Sequence, residues 1–339
     1  MNFGLDKLFI IIATILLFAG CQKQEEAPSA WTRLTDFPGE KRAFAGGAQI
    51  NGKGYLVFGL IESGKNSKEI WEFDKQGNSW KKIASYEELL DNGRTLVTAS
   101  SEKIYILNGS SQVSYIDSIV EFDLSSYSFK KINLPNELLI KDNMLFANGG
   151  NLYVHGESKT KVNNEIVLSK KFFKYQINKN QWSELPFINE DDIPKSLFVS
   201  YYGSLPIPTF TIDNKFYLIN GQGVLWAFDT ITEQWTNLGK AASDGYDVRY
   251  GSFNFKIGKY VYLMGGYIHN LGIYSKKMFR YDYSTNTWTD LGFEFPGDER
   301  TGAAGFTMDN RAYMCMGLTR NGLSLKDVWV FSGDERQSP

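Results

Sequence analysis

The sequence predicts an all-β fold made of six similar units, each of four antiparallel strands, closed into a ring. The first observation is a short segment with apolar first and last residues, "WTRL" where it begins, that returns at intervals of roughly 50 residues. Periods of this length are typical of repeated four-stranded units. The six copies begin at Trp31, Trp80, Phe129, Trp182, Trp235 and Trp288.

A second observation places another strand before each later copy. Runs such as "IWEFD" and "LWAFD" are rich in strand-forming residues, and the last residue of each run lies six positions before the aromatic residue. This fixed spacing predicts two strands joined by a short polar turn, in which an Asp accepts hydrogen bonds from turn amides. The last residues of the runs are Asp74, Asp123, Gln176, Asp229 and Asp282.

Two further runs, earlier in each unit, complete the four strands. One contains a tyrosine, and in five of the six units a glycine follows four residues later. The run before it is rich in small residues, as in "AFAGGAQI" and "GAAGFTM", which suits the crowded innermost strand of a ring. The tyrosines are Tyr55, Tyr105, Tyr153, Tyr217, Tyr262 and Tyr313.

The two ends of the repeated region predict how the ring closes. "WTRL" at residues 31–34 is an outer strand with no third strand before it, and "VWVF" at residues 328–331 is a third strand with no outer strand after it. We therefore expect the N-terminal strand to complete the C-terminal unit, because this pairing removes an exposed sheet edge.

Over residues 31–331 this pattern resembles the kelch repeat, in which a glycine doublet follows the second strand and Tyr and Trp follow at set distances. "MGGY" at residues 264–267 carries the complete doublet, whereas units one to three have "FGL", "NGS" and "HGE". The resemblance implies a six-bladed kelch-type β-propeller with four antiparallel strands per blade, each unit being one blade.

The first 20 residues are predicted to be a lipoprotein signal peptide. Lys7 precedes the apolar run "LFIIIATILLF", which is too short to span a bilayer as a helix. The segment "LFAGC" resembles a bacterial lipobox, which implies cleavage before Cys21 and a lipid on its sulfur. An ordinary secretory signal is the alternative.

Residues 21–30 are polar and predict a flexible tether between the lipidated Cys21 and the repeated region. Their "QKQEE" run is similar to the acidic tracts of Bacteroidetes-type surface lipoproteins, although a merely solvated linker has the same composition. We expect a protein of the bacterial cell envelope that is anchored to the outer membrane, on its periplasmic or cell-surface side. Residues 332–339 are expected to form a C-terminal tail.

Composition sets limits on partners. The formal net charge is −2, with 36 Lys and Arg against 38 Asp and Glu, which gives no reason to expect a nucleic-acid partner. With Cys21 lipidated, no disulfide within the chain is possible. Cys315, in the apolar run "AYMCMG", is expected to be buried.

Four arginines occupy related positions. Arg42, Arg249 and Arg300 each lie 13 residues before the tyrosine of their unit, and Arg94 lies 11 before. Each arginine therefore precedes an innermost strand, where equal offsets predict equal places at one mouth of the central channel. Guanidinium groups gathered there would suit a carboxylate or another anion. The alternative is that each arginine pairs with an acidic residue of a neighbouring unit.

Aromatic residues in two connections extend the candidate ligand site. Tyr201 lies near the end of a long connection before the fourth unit's inner strand, and Tyr267 and His269 lie in "GGYIHNLGIYS". Aromatic rings beside polar groups suit glycan or peptide surfaces, and they equally suit plain packing. The two histidines, His155 and His269, belong to different units and to no metal-binding motif, so we expect neither metal nor cofactor.

Two classes of function follow. The first is a non-enzymatic binding scaffold for a protein, peptide or glycan, which needs only the repeats and the lipid anchor. The second is an enzyme, because six-bladed kelch proteins of the bacterial envelope include sialic acid epimerases. An arginine-rich mouth would suit the carboxylate of such a sugar. This second reading rests on likeness of fold alone.

Overall fold

The computed structural model describes residues 30–88, 94–108, 115–162, 165–188, 197–199, 203–241 and 249–333. Every regular element in these ranges is a β-strand, as the sequence predicts. Within the described part of the chain, no helix has the length and apolar character needed to cross a membrane.

Strands β1 to β14 run from the start of the repeats to the end of unit three. They are β1 (Trp31–Arg33), β2 (Arg42–Ala43), β3 (Gly46–Ile50), β4 (Lys53–Val57), β5 (Leu60–Ile61), β6 (Glu69–Asp74), β7 (Ser79–Ser85), β8 (Thr95–Ser100), β9 (Lys103–Asn108), β10 (Tyr115–Asp123), β11 (Ser128–Asn148), β12 (Asn151–Val162), β13 (Glu165–Gln176) and β14 (Gln181–Leu185).

The remaining strands build units four to six. They are β15 (Leu197–Val199), β16 (Gly203–Leu205), β17 (Thr209–Ile212), β18 (Lys215–Ile219), β19 (Val224–Asp229), β20 (Gln234–Lys240), β21 (Arg249–Tyr250), β22 (Phe253–Ile257), β23 (Tyr260–Met264), β24 (Tyr267–Ile268), β25 (Ile273–Tyr274), β26 (Lys277–Asp282), β27 (Thr287–Glu294), β28 (Arg300–Thr301), β29 (Ala304–Met308), β30 (Arg311–Cys315), β31 (Leu318–Thr319) and β32 (Val328–Phe331).

Four units are separate four-stranded antiparallel sheets. Their orders are β3-β4-β6-β7 in unit one, β17-β18-β19-β20 in unit four, β22-β23-β26-β27 in unit five and β29-β30-β32-β1 in unit six. In unit six, Trp31 pairs with Phe331 and Arg33 with Trp329. The outer strand of this sheet therefore comes from the N-terminal side of the repeats, which is the pairing that the sequence predicts for β1.

Units two and three depart from the expected separate sheets, because together they form one seven-stranded sheet from β8 to β14. The long strand β11 is shared. Its start pairs with β10, its end pairs with β12, and the backbone of Leu138 and Leu139 pairs on both sides. Extended backbone that finds partners on both sides continues the ladder instead of turning away from it.

Apolar clusters pack successive units against each other. Side chains at alternate strand positions face these clusters because successive residues of a strand point to opposite faces. Pairs that share a cluster are Ile70 and Ile106 for units one and two, Tyr105 and Val154 for two and three, Tyr153 and Phe216 for three and four, Tyr217 and Tyr281 for four and five, and Phe73 and Phe306 for one and six.

The fifth and sixth units meet through Trp31. Its indole ring lies 6.1 Å from the ring of Phe255 and 5.1 Å from that of Phe295, in edge-to-face arrangements, and its Nε1 donates to Met278 Sδ at 3.1 Å. The side chain is 4% exposed. The first copy of the repeated tetrapeptide is thus anchored in the core.

The innermost strands approach closely enough to require glycine. A Cβ on Gly47 of β3 would lie 1.8 Å from the carbonyl oxygen of Gly305 in β29, and one on Gly46 would lie 2.0 Å from Val97. The crowding expected from the small-residue runs is confirmed at these positions.

The aspartates that end the third strands act as turn residues. Asp74 accepts hydrogen bonds from the amides of Gln76 and Gly77. In unit two, hydrogen bonds from the Ser125 hydroxyl and amide lower the pKa of Asp123 to about 2. The predicted role of these aspartates in the turns is confirmed. Cys315 is fully buried, as expected, and burial raises the pKa of its thiol.

Candidate functional site

Short strand pairs at one end of the sheets hold three of the predicted arginines. Arg42 opens β2 and pairs with Ile61, Arg249 opens β21 and pairs with Ile268, and Arg300 opens β28 and pairs with Thr319. In each case the arginine lies just before the innermost strand of its unit, and it pairs with a residue of the segment that follows the second strand. The equal offsets in the sequence therefore correspond to equal places in units one, five and six.

Arg42 is 1% exposed, and its guanidinium group is surrounded by acceptors of its own unit. Nη1 donates to the carbonyl oxygen of Phe58 at 3.2 Å and to Ser67 Oγ at 2.7 Å, and Nη2 donates to Glu69 Oε2 at 3.0 Å. The cation lies 5.0 Å from the centre of the Phe37 ring. Burial lowers the pKa of Arg42, and the hydrogen bond and charge of Glu69 oppose that effect.

Arg300 repeats this arrangement in unit six with a closer ion pair. Nη1 and Nη2 donate to the two carboxylate oxygens of Asp327 at 2.6 and 2.8 Å, and Nη1 also donates to the carbonyl oxygen of Met316 at 3.0 Å. The guanidinium group lies 4.9 Å from the centre of the Phe295 ring. Such two-point pairing is the strong form of an arginine–carboxylate contact.

Burial of Asp327 works to raise its pKa, but the hydrogen bonds and charge of Arg300 outweigh burial, so the pKa lies below its usual value. For Glu69, burial is likewise opposed by hydrogen bonds from Trp71 and Arg42, and its pKa is also lowered. Both carboxylates therefore remain charged beside their arginines at neutral pH. The partners lie in the same unit as the arginine, not in a neighbouring unit as the sequence-based alternative had it.

Arg94 and Arg249 are also buried, at 3% and 2% exposure. The Arg249 guanidinium lies 4.9 Å from the centre of the Phe279 ring. Arg94 immediately precedes β8, so it too lies at the entry to an inner strand. All four arginines are buried, and the three with equal offsets occupy corresponding places. The role of the four in binding an anion stays a prediction, and the ion pairs of Arg42 and Arg300 favour a structural role for those two.

Residues in or next to the short strand pairs that hold the arginines, together with residues of unit four, form an apolar cluster shared by units one, four, five and six. Its buried members are Ala43, Phe44, Leu205, Tyr250 and Leu318, with Leu60, Ile207 and Tyr267 packed against them. Sequence reasoning missed this cluster. The signal was available, since an apolar or aromatic residue follows two of the arginines directly in "RAF" and "RYG".

Backbone hydrogen bonds run from unit to unit beside this cluster. Gly251 donates to Pro206 O at 2.7 Å, Gly302 to Gly251 O at 2.9 Å, Phe44 to Gly302 O at 2.8 Å, and Thr95 to Phe44 O at 3.0 Å. These four bonds link units four, five, six, one and two in succession. These hydrogen bonds hold the entries to the inner strands of neighbouring units together.

The hairpin of β24 and β25 carries the predicted aromatic residues of unit five. The rings of Tyr267 and Tyr274 lie 5.3 Å apart, and that of His269 lies 6.4 Å from Tyr267. His269 is exposed, as are Leu271 (55%) and Ile273 (39%). The structure thus brings Tyr267 and His269 together at an exposed surface. Tyr201, the third predicted aromatic residue, and Cys21 lie outside the described residues.

His155 lies elsewhere and is part of the packing. It is 1% exposed, and its ring stacks on that of Phe187 at 4.0 Å. In the ranges that the structure describes, no three His, Cys, Asp or Glu side chains are grouped so that they could hold a metal ion.

Comparison with known proteins extends these observations. Residues 256–292, which run from the end of β22 into β27, match the model of the Kelch motif. The solved structure called "Structure of YjhT" superposes with a TM-score of 0.68, covering 89% of this chain and 98% of that one, at 14% sequence identity. The fold is a kelch-type β-propeller. At this identity the likeness to YjhT is one of fold.

A sequence relative matches a smaller part of the propeller. It is the N-acetylneuraminate epimerase of Yersinia enterocolitica, 30% identical over 94 residues. The matched stretch makes up 25% of this chain and 23% of the epimerase, so the chain spans less than a quarter of the length of that relative.

Proposed function

We propose that the units form a closed six-bladed ring. Units four, five, six, one and two are linked by the backbone hydrogen bonds described above. Between units two and three, the amide of Ala147 donates to Thr98 Oγ1 at 2.9 Å. Between units three and four, the rings of Phe146 and Phe216 stack at 4.0 Å. With these two contacts every successive pair of units is joined, which supports closure.

We further propose that the protein is a lipoprotein of the bacterial cell envelope. The lipobox-like segment before Cys21 and the polar tether of residues 21–30 support this proposal. The bilayer would then be a partner through the lipid on Cys21, with the outer membrane as its site. A Cys21→Ser variant should release the propeller from the membrane fraction. A variant that remains membrane-bound would refute lipidation as the anchor.

We infer that the propeller acts as a non-enzymatic binding scaffold for a protein, peptide or glycan. The observation that carries this inference is the exposed hairpin of β24 and β25. It displays Tyr267, His269, Leu271 and Ile273 above a base held by buried ion pairs and backbone hydrogen bonds. Aromatic and apolar side chains on a rigid support lose little conformational entropy on binding, which favours recognition. Leu271 and Ile273, at 55% and 39% exposure, add apolar surface to these aromatic side chains.

An array of glycans and peptides probed with the full-length protein tests this inference. We expect Leu271→Ser combined with Ile273→Ser to abolish binding of at least one array ligand that the unaltered protein binds, while leaving the melting temperature unchanged. Ile231→Ser is the matched control, because Ile231 is 77% exposed and lies on the turn between β19 and β20, at the other end of the sheets. Equal loss in the control, or no loss in the hairpin variant, would refute the assignment of this surface.

The anionic ligand that the sequence predicts at the arginines remains a second part of the proposal. Arg42 and Arg300 already have carboxylate partners, so the hairpin side chains are better placed than these two arginines for direct contact with a ligand. If Arg42→Ala or Arg300→Ala weakens ligand binding without loss of stability, that arginine contacts the ligand directly.

A sialic acid epimerase or mutarotase is the alternative function. The name of the Yersinia relative favours it, although the match covers a quarter of this chain. Proton NMR of N-acetylneuraminate anomers mixed with the full-length protein tests it. Faster interconversion of the anomers than in buffer would replace the scaffold with an enzyme.

A further inference from the structure

One position of the third strand differs between the six units in a way that changes the space beside it. In each unit this residue pairs directly with the unit's tyrosine on the second strand. It is a long or branched residue in five units and Ala227 in unit four. The six pairs are Tyr55 with Glu72, Tyr105 with Glu121, Tyr153 with Lys174, Tyr217 with Ala227, Tyr262 with Arg280, and Tyr313 with Val330.

The longer side chains occupy the space beside the tyrosine. In unit one, Glu72 accepts a hydrogen bond from Lys53 Nζ at 2.6 Å and another from the Tyr55 hydroxyl at 3.2 Å. In unit two, burial raises the pKa of the Tyr105 hydroxyl, and the charge and hydrogen bond of Glu121 beside it raise that pKa further. Ala227 has only a methyl group, which cannot fill the same space beside Tyr217.

A cavity of about 210 Å³ lies at this place, between unit four and unit five. Tyr217, Ala227 and Asp229 line it from unit four, and Tyr281 and Asn286 line it from unit five. Asn286 joins the two sides, since its Nδ2 donates to Leu238 O at 3.1 Å and its Oδ1 accepts from the Tyr281 hydroxyl at 3.0 Å. These two hydrogen bonds tie Tyr281 and Asn286 of unit five to the backbone of unit four.

Two polar groups of the lining keep hydrogen-bonding capacity. Tyr217 is 6% exposed and lines the cavity, and its hydroxyl can both donate and accept a hydrogen bond. Asp229 accepts from Ile231 N at 2.8 Å, Thr232 N at 3.2 Å and Asn214 Nδ2 at 3.2 Å, all at Oδ1. Its Oδ2 is left with acceptor positions, because an ionised carboxylate can accept about four hydrogen bonds.

The charges of the lining balance. Lys215 contributes one positive charge and Asp229 one negative charge, and the other lining groups are aromatic, hydroxyl, amide or apolar. A site with no net charge gives no advantage to an ionic ligand. The Tyr217 ring stacks on Phe210 at 5.0 Å and the Tyr281 ring packs on Trp288 at 4.7 Å, so at most one face of each can meet a ligand. The carboxylate, the amide and the hydroxyls of Thr232 and Thr236 can pair with several hydroxyl groups.

We propose that this cavity binds a neutral monosaccharide. The volume of about 210 Å³ suits a single sugar ring, since sites for larger drug-sized ligands occupy roughly 300–1,000 Å³. The ring faces would pack on the tyrosines, and the sugar hydroxyls would pair with Tyr217 and with Asp229 Oδ2. The site is independent of the proposed function, because it adjoins the β19–β20 turn, at the opposite end of the sheets from the arginines.

Saturation-transfer NMR of the full-length protein in detergent micelles tests the proposal, with D-glucose, D-galactose and N-acetyl-D-glucosamine as separate probes. We expect at least one probe to receive saturation from the protein. Ala227→Val should weaken that binding by about tenfold or more, because it places in unit four the valine that unit six carries at the same position. Tyr217→Phe should weaken binding less, since it removes one hydroxyl and keeps the ring.

Ile231→Ala is the control, because this exposed residue is outside the cavity lining. It should leave binding unchanged, and the melting temperature of each variant is measured alongside. If Ala227→Val fails to fold, the Tyr217→Phe affinity decides alone. The proposal is overturned if none of the three sugars receives saturation, or if a folded Ala227→Val or Tyr217→Phe variant binds as the unaltered protein does.

Discussion

Unit six and unit one hold a buried arginine in the same place, but the two units are assembled differently. Unit one is built from one continuous stretch of chain, whereas unit six takes its outer strand, β1, from the other end of the repeats. Asp327 holds Arg300 with both oxygens, whereas Glu69 holds Arg42 with one. The equal positions of Arg42 and Arg300 make both side chains buried. The strength of each ion pair depends instead on the acidic residue beside the arginine, which is Glu69 in unit one and Asp327 in unit six.

The largest expected effect concerns the tryptophans of the two outer strands. Trp31→Ala in unit six should reduce the free energy of unfolding by about 4 kcal/mol, because it empties a site lined by Phe255, Phe295 and Phe331. Chemical denaturation followed by circular dichroism measures this loss.

Trp80→Ala is the matched variant in unit one. Trp80 is only partly buried, although it contacts Phe73 and Phe306, so its loss should cost less than that of Trp31. Equal losses in the free energy of unfolding would show that the strand from the N-terminal side of the repeats does not stabilise unit six more than the outer strand of unit one stabilises its own unit.

The next effect separates the two ion pairs. Asp327→Asn should destabilise the protein by about 3 kcal/mol, because it leaves the Arg300 charge buried without a compensating carboxylate. Glu69→Gln should cost about 1 kcal/mol, since the Glu69 side chain is 27% exposed and makes a single hydrogen bond to Arg42. Thermal unfolding of both variants checks the order. A larger loss for Glu69→Gln would reverse the comparison of the two pairs.

A third effect tests the boundary between units six and one. Gly47→Ala should cost about 2 kcal/mol or more, because the new methyl group would meet the backbone oxygen of Gly305, which cannot move without shifting β29. Gly77→Ala, in the turn of unit one, would meet the movable Ser79 hydroxyl at 3.0 Å and should be nearly neutral. Comparable melting temperatures for the two variants would argue against tight packing of β3 on β29.

Much of this fold follows from sequence periodicity. The repeated tetrapeptides predict the outer strands, and the unmatched ends predict the pairing of Trp31 with the strand that ends at Phe331. The shared strand β11 does not follow from the periodicity, and the proline in "LPNELL" is a residue disfavoured inside strands. Its continuity depends on partners on both sides, which belong to other parts of the chain.

The candidate sites were predicted less completely. The spacing of the arginines from the unit tyrosines predicts where the arginines lie. Their roles depend on Glu69 and Asp327, which lie 27 residues after Arg42 and Arg300. That common spacing of 27 residues is present in the sequence, but only the structure shows that it places a carboxylate beside each guanidinium group. Ala227 was also visible in "LWAFD", where the other units carry larger residues. Its consequence, a cavity, required the position of unit five beside it.

The smallest expected effect is the pH dependence of the two ion pairs. The folded-state pKa values of Asp327 and Glu69 are lowered, so the unfolded state binds more protons in acid. Each pair therefore contributes stability that is fully present above the ordinary carboxyl pKa of about 4 and is lost as the pH falls through the folded value. Melting temperatures between pH 7 and pH 3 should fall less steeply for Asp327→Asn than for the unaltered protein, and Glu69→Gln should behave likewise. Parallel curves for all three proteins would show that neither carboxylate is held by its arginine.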